Sequence, residues 1–323
     1  MKKKQFSMKS KTALITGGAG FIGSRLAQIL DSKNYRTIVY DDFSNASGKK
    51  NLPKKTIIIK GSVTNYSKLK LITKKADIVF NLAVLPLPMS FTHPEKIVHV
   101  NGYGTYLVAK TCSELKKKLV HISSSEVYGT ARSGTMRESH FLMPTTTYAA
   151  SKLSSEAYVH GFGASENLKY VIIRPFNSYG EFMREDGYAA AMPNFYEQIS
   201  KNKKPIIFGN GEQTRDLSYV DDTARGIFLA SQSSKTIGKT INIGQGKEIS
   251  INKLAFLMID EYEKLTGKKV NRKLKYLPER KGDVRRHKAN ISLAKTLFNY
   301  SPTITIREGI KRYLEWKLSK TSK

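Results

Sequence analysis

The run Ala13-Leu14-Ile15-Thr16-Gly17-Gly18-Ala19-Gly20-Phe21-Ile22-Gly23-Ser24 reads as a buried strand, a tight turn and the start of a helix, with apolar residues recurring at helical spacing through Leu26, Ile29 and Leu30. In such a setting the glycines serve different ends. One permits the turn, one lets the backbone approach a pyrophosphate, and one allows close packing of helix on strand. The pyrophosphate then lies at the amino end of the helix, where unpaired N–H groups and the helix dipole favour negative charge.

A second strand, Thr37-Ile38-Val39-Tyr40, ends at Asp41, 18 residues after Gly23. An acid near that separation is where a ribose diol is held. Gly17, Gly20, Phe21, Ile22, Gly23 and Asp41 are therefore candidate dinucleotide contacts. A carboxylate accepts a free 2′-hydroxyl and repels a 2′-phosphate, so NAD is expected over NADP; Lys49 and Lys50 nearby leave NADP open.

Further strands read at Thr56–Lys60, Ala76–Asn81, Leu119–Ser123 and Tyr170–Arg174, with helical patterns between them. Short apolar strands alternating with helices indicate a Rossmann-type, doubly wound parallel sheet covered on both faces. Beyond Gly180 the rhythm changes to a Gly/Asp-rich loop, a helix over 189–201, the strand-like Pro205–Phe208 and a terminal helix over 306–318 with the lone Trp316. The expected organisation is a dinucleotide-binding domain over 11–179 and a smaller, mainly substrate-binding lobe over 180–323, some segments of which return to the first domain.

The chain has 323 residues, 40% of them hydrophobic, which suits a globular protein with a large core. No run of 18 uncharged apolar residues predicts a membrane span, and the basic start lacks the apolar centre of a signal peptide. Cys112 is the single cysteine, so no internal disulfide forms and a cytoplasmic setting is expected. The net charge of +29 raises nucleic-acid binding as a function. The lysines are scattered from Lys2 to Lys323 rather than gathered on a motif, which favours a solvated surface instead. The six histidines show no paired metal-ligand spacing and read as packing or surface residues; no metal is expected.

Tyr148 and Lys152 are four apart on an expected helix, so their side chains share a face. An ammonium near a phenol favours the phenolate, which can remove a hydroxyl proton while hydride leaves the same carbon for a nicotinamide. Ser124 follows the strand ending Ile122-Ser123, at the carboxyl edge where parallel sheets bind ligands.

With these residues in place, the chain resembles the extended short-chain dehydrogenase/reductase family of NAD-dependent sugar-nucleotide epimerases and dehydratases, from Leu14 to Trp316. Its landmarks include Thr16 to Gly23, Asn81-Leu82-Ala83, Asn101 with Gly104-Thr105, Ser123 to Gly129, Tyr148 to Lys152, Arg174 to Asn177, and Gly209 to Tyr219. The resemblance implies Tyr148 as acid/base, Lys152 on the nicotinamide ribose, and Ser124 on the reacting sugar hydroxyl. It implies Leu82 and Ala83 along the cofactor path, with Asn101 among the cofactor-site residues. It also implies Asn177 and Arg215 on the nucleotide diphosphate, joined by Arg280, Asp283 or Arg285. A homodimer through helices near 95–117 and 148–163 is implied too. Three positions depart from the family: Ser62 and Asn290 stand where Asp is common, and Asn81 where His is.

Members oxidise a sugar at C4 and then diverge. Ser124-Ser125-Glu126 lacks the Asp of the Thr-Asp-Glu found in many dehydratases, which favours 4-epimerisation of a UDP-hexose, as in UDP-glucose 4-epimerases. Glu126 keeps a 4,6-dehydratase or a UDP-glucuronate decarboxylase open, as base or orienter. A non-catalytic relative that binds RNA or a protein is the remaining alternative, and joint retention of Ser124, Tyr148 and Lys152 argues against it.

Overall fold

The computed structural model describes residues 10–46, 48–131, 134–183, 191–279 and 284–321. Six parallel strands arise in chain order: β1 (Thr12–Thr16), β2 (Arg36–Asp41), β3 (Ile57–Lys60), β4 (Ile78–Asn81), β5 (Lys118–Ile122) and β6 (Tyr170–Pro175). Lys239–Ile243 joins as a seventh, and the spatial order is β3-β2-β1-β4-β5-β6 followed by that strand. Every pairing in this sheet is parallel. The order reverses between β1 and β4, and a crevice opens there beyond the carboxyl ends of the strands. β1 is buried along its whole length, which explains why it reads as an unbroken apolar run rather than an alternating one.

One face of the sheet packs Ala13, Ile15 and Val39 against helix Phe21–Ser32 and against Ala224, Ile227 and Phe228 of helix Val220–Gln232. The other face packs Leu14, Ile38 and Val79 against Leu107, Val108 and the buried Cys112. Lys239–Ile243 thus belongs to the large sheet, and helices Val220–Gln232 and Ser292–Phe298 pack into its core, although all three lie late in the chain.

A second core gathers Phe195, Ile199, Ile207, Met258, Tyr313 and Leu314 from helices Ala191–Ser200, Ile251–Thr266 and Ile306–Thr321. Among the described residues three short two-stranded sheets accompany it: Asn177–Tyr179 with Leu217–Tyr219, Thr214–Arg215 with Ile249–Ser250, and Ile206–Phe208 with Lys275–Leu277. Among the described residues no helix is long and apolar enough to cross a membrane.

Candidate active site

A cavity of about 920 Å³ runs along the carboxyl edge of the sheet and into the second lobe, lined from Gly17 at one end to Arg215 and Val284 at the other. At the first end, Gly17 has φ +68° and its amide donates to the Tyr40 carbonyl at 3.0 Å. A Cβ there would stand 2.6 Å from the Ala83 nitrogen, and one on Gly23 would stand 2.5 Å from the Gly17 carbonyl oxygen. Both contacts are with backbone, so the turn admits no larger residue at either place. Helix Phe21–Ser32 begins after Gly20 with no side chain capping it. Its amino end faces the cavity through Gly20, Phe21, Ile22 and Gly23, an arrangement suited to a pyrophosphate.

Asp41 lines the same end. One carboxylate oxygen accepts the Ala19 amide at 2.9 Å and the other accepts the Phe43 amide at 2.8 Å. The acid is thereby fixed beside the glycine turn; burial raises its pKa, and the two backbone hydrogen bonds oppose the rise. Ser62 lines the cavity, but its hydroxyl is engaged with Thr64 Oγ1 at 2.8 Å within its own turn.

Leu82 and Ala83 form part of the wall, whereas Asn101 does not. Fully buried in the π-helical turn Val98–Tyr103, Asn101 accepts the Leu85 amide at 2.8 Å and donates to the Leu85 carbonyl and Ser151 Oγ at 3.1 Å each. It clamps the wall loop to the helix bearing Tyr148.

That helix, Thr147–Glu166, is capped by Thr146, whose side chain accepts the Ala149 amide at 3.1 Å. The cap sets Tyr148 in the first turn. One further attachment orients the helix, the buried ion pair of Glu156 with Arg174 of β6 at 2.6 Å; within the helix, Ser155 Oγ donates to the Lys152 carbonyl at 2.6 Å. His121 Nε2 approaches Ser155 Oγ at 2.9 Å, and its Nδ1 meets Asn81 Nδ2 at 3.2 Å. Asn81 Oδ1 accepts Thr16 Oγ1 at 2.6 Å. Polar groups of β1, β4, β5 and the helix bearing Tyr148 are thus satisfied in one buried chain, which accommodates Asn81 in place of histidine.

Ser124, Glu126, Tyr148 and Lys152 all line the cavity. The Ser124 hydroxyl lies near enough to the Tyr148 phenol to lower its pKa, and it accepts the Glu126 amide at 3.2 Å. Lys152 Nζ donates to the Ile122 carbonyl at 2.5 Å. Its burial lowers the ammonium pKa to about 8, with Glu156 pulling the other way. The expected depression of the phenol is not what this geometry gives. Burial pushes Tyr148 up to about 12, Ser124 counteracts, and the nearby Glu126 adds to the rise. Desolvation is the largest cause of the rise, and the Lys152 ammonium is committed to a strand-end carbonyl.

At the far end, Asn177 and Arg215 line the cavity. One Arg215 nitrogen donates to the Thr214 carbonyl at 2.8 Å and the Val284 carbonyl at 2.5 Å. Arg285 was expected beside them but does not line the cavity: its exposed guanidinium meets Glu279 at 3.3 Å. Arg280 and Asp283 lie outside the described residues. His287, read from sequence as packing or surface, is fully buried and bonds Asn177 at 2.9 Å. Among the described residues no group of three or more His, Cys, Asp or Glu side chains could hold a metal ion.

A serine beside a tyrosine, a lysine four residues on and an acid-tipped second strand, all along the switch-point crevice, define a dinucleotide-dependent site of the short-chain dehydrogenase/reductase type. Residues 13–244 match the model of the NAD dependent epimerase/dehydratase family, and the chain belongs to that family. It is 31% identical over 307 residues to a putative UDP-glucose 4-epimerase of Methanocaldococcus jannaschii, covering 94% of this chain and 97% of that one. It is 28% identical to the UDP-N-acetyl-alpha-D-glucosaminuronate decarboxylase of Bacillus cytotoxicus, with 95% and 97% covered. Among solved structures, the UDP-N-acetylglucosamine 4-epimerase of Methanobrevibacter ruminantium, in complex with UDP-N-acetylmuramic acid, superposes with a TM-score of 0.89 at 32% identity. That match covers 97% of this chain and all of the other.

Proposed function

We propose that this protein is an NAD-dependent 4-epimerase of a nucleotide hexose, a UDP sugar by preference. The observation that carries the reading is the pairing of Ser124 with Tyr148 in a wall where Glu126 is the one carboxylate beside them among the described residues. Epimerisation needs a single proton relay at one hydroxyl, whereas elimination of water needs a base and an acid on neighbouring carbons. Tyr148 takes the C4 hydroxyl proton and returns it to the inverted hydroxyl, while Ser124 holds the oxygen through both transfers. Lys152, Asp41 and the glycine turn hold the dinucleotide, which supplies acceptance and return of hydride at C4. Asn177 and Arg215 anchor the diphosphate, leaving the hexose to turn over between the two transfers.

A dehydratase or decarboxylase is the second reading, favoured by Glu126 near Tyr148. A homodimer is part of the proposal. On the face formed by residues 98–106 and 158–162, Tyr103 and Tyr158 are exposed, and Tyr103 stacks on both His99 and Tyr106.

Incubation of the NAD-loaded protein with UDP-glucose, UDP-N-acetylglucosamine, UDP-glucuronate and dTDP-glucose tests the reaction. A product of unchanged mass and new retention is expected; loss of water or carbon dioxide moves the assignment to the second reading.

A further inference from the structure

His287 lies fully buried, its ring against Phe176 with centroids 4.8 Å apart. Two polar partners fix its state. Nε2 stands 3.4 Å from the Ser125 carbonyl, and a carbonyl can only accept, so Nε2 carries the proton. Nδ1 is then an acceptor and receives the Asn177 amide at 2.9 Å. The ring is neutral: burial first, then the neighbouring Arg215 charge, lowers its pKa to about 4.

Asn177 and Ser125 both line the cavity, one at the substrate end and the other between Ser124 and Glu126. His287 reaches both from behind the wall. We propose that His287 is a positioning residue for the nucleoside diphosphate, fixing the Asn177 amide through Nδ1 while its Nε2–H ties that anchor to the Ser124–Glu126 segment. This rests on the reading of Asn177 as a diphosphate contact. A neutral ring also places no second cation beside Arg215, so the anchor's orientation is set by hydrogen bonds.

The test is calorimetric titration of UDP and of dTDP into NAD-loaded protein, in a cycle with Asn177→Ala. His287→Phe keeps the ring and removes both nitrogens; His287→Asn keeps an acceptor near the Nδ1 position. Loss of one neutral hydrogen bond is worth about 5- to 10-fold in affinity. His287→Phe is expected to weaken nucleotide binding by that factor with NAD content unchanged, His287→Asn to remain within about 3-fold of the parent, and His287→Phe to add nothing once Asn177 is alanine. Equal losses in both backgrounds, or an Asn variant as weak as the Phe one, overturns the role of His287 alone. Parent protein that binds neither nucleotide overturns the diphosphate reading, and this role with it. Should His287→Phe fail to fold, His287→Leu takes its place in the cycle with the same expectations.

Discussion

Ser124, just past the end of β5, and Tyr148, in the first turn of helix Thr147–Glu166, line the same cavity, and the serine hydroxyl opposes the rise in the phenol's pKa. The phenol is held protonated by burial, with its pKa near 12, so its conversion to a base is the uphill part of proton transfer. Removing it should remove the chemistry. Tyr148→Phe is expected to lower turnover by about 10²- to 10⁴-fold while bound NAD stays at the parental level. Turnover within a few-fold of the parent would displace Tyr148 as the acid/base.

The raised phenol also sets a direction for pH. Because the base form is the minor one at neutrality, kcat should climb as pH is raised from 6 toward 9, through the region where Lys152 titrates at about 8. A kcat that falls steadily over this range would show that the deprotonated phenol is not the base.

Glu126 distinguishes the two reactions. Glu126→Gln should leave an epimerase within about 3-fold of its parental rate, since one relay suffices at C4, and should cost a dehydratase or decarboxylase about 10²-fold or more, on the scale of a lost acid/base group. Steady-state rates on the accepted sugar decide between them.

Asp41 sits where the ribose of the dinucleotide is expected, gripped by the Ala19 and Phe43 amides. Asp41→Asn removes the charge and is expected to weaken NAD binding by about 10- to 100-fold, the range for a hydrogen bond to a charged group, and to narrow the preference for NAD over NADP. Fluorescence titration with both dinucleotides reads the two effects. Unchanged NAD affinity would place the ribose elsewhere.

His287 gives a stability signature as well. The fold lowers its pKa from 6.5 to about 4, so the fold excludes a proton that the unfolded chain binds, and the associated stability falls as pH drops from about 6.5 toward 4. The full shift corresponds to an upper bound of ~3.5 kcal/mol. Asp216 opposes it over the range from about 7 down to 4, because its buried carboxyl, raised to about 7, takes up a proton earlier in the fold. The difference between parent and His287→Asn isolates the histidine: the parent's advantage at pH 7 should shrink as pH falls to 4.5. A gap that stays constant in urea unfolding at both pH values would show that His287 is not held neutral by the fold.

Much of this architecture was legible because its signals are local. The glycine turn, Asp41 and the Tyr148–Lys152 pair are each set by one strand end or one helical turn, and all of them line the cavity. The parts that stay hidden in the sequence depend on contacts between distant residues. Asn101 lies within a family landmark, yet only its bonds to Leu85 and Ser151 reveal that it braces the wall from behind. Arg285 follows the right loop, but its side chain turns outward to Glu279 while Val284 faces the cavity. His287 is 110 residues from Asn177, and a lone histidine carries no periodicity or spacing to announce such a partner. Thr146 did leave a signal: a threonine three residues before Ala149 at a helix start is a cap pattern.

The most direct test follows the hydrogen at C4. The accepted nucleotide sugar is converted in D2O, hydroxyl deuterons are exchanged back in H2O, and substrate and product masses are compared. An isomer with no retained deuterium is expected, because the hydrogen removed from C4 returns to the same carbon. A product carrying carbon-bound deuterium, or one lighter by water or carbon dioxide, would contradict 4-epimerisation at the Ser124–Tyr148 pair.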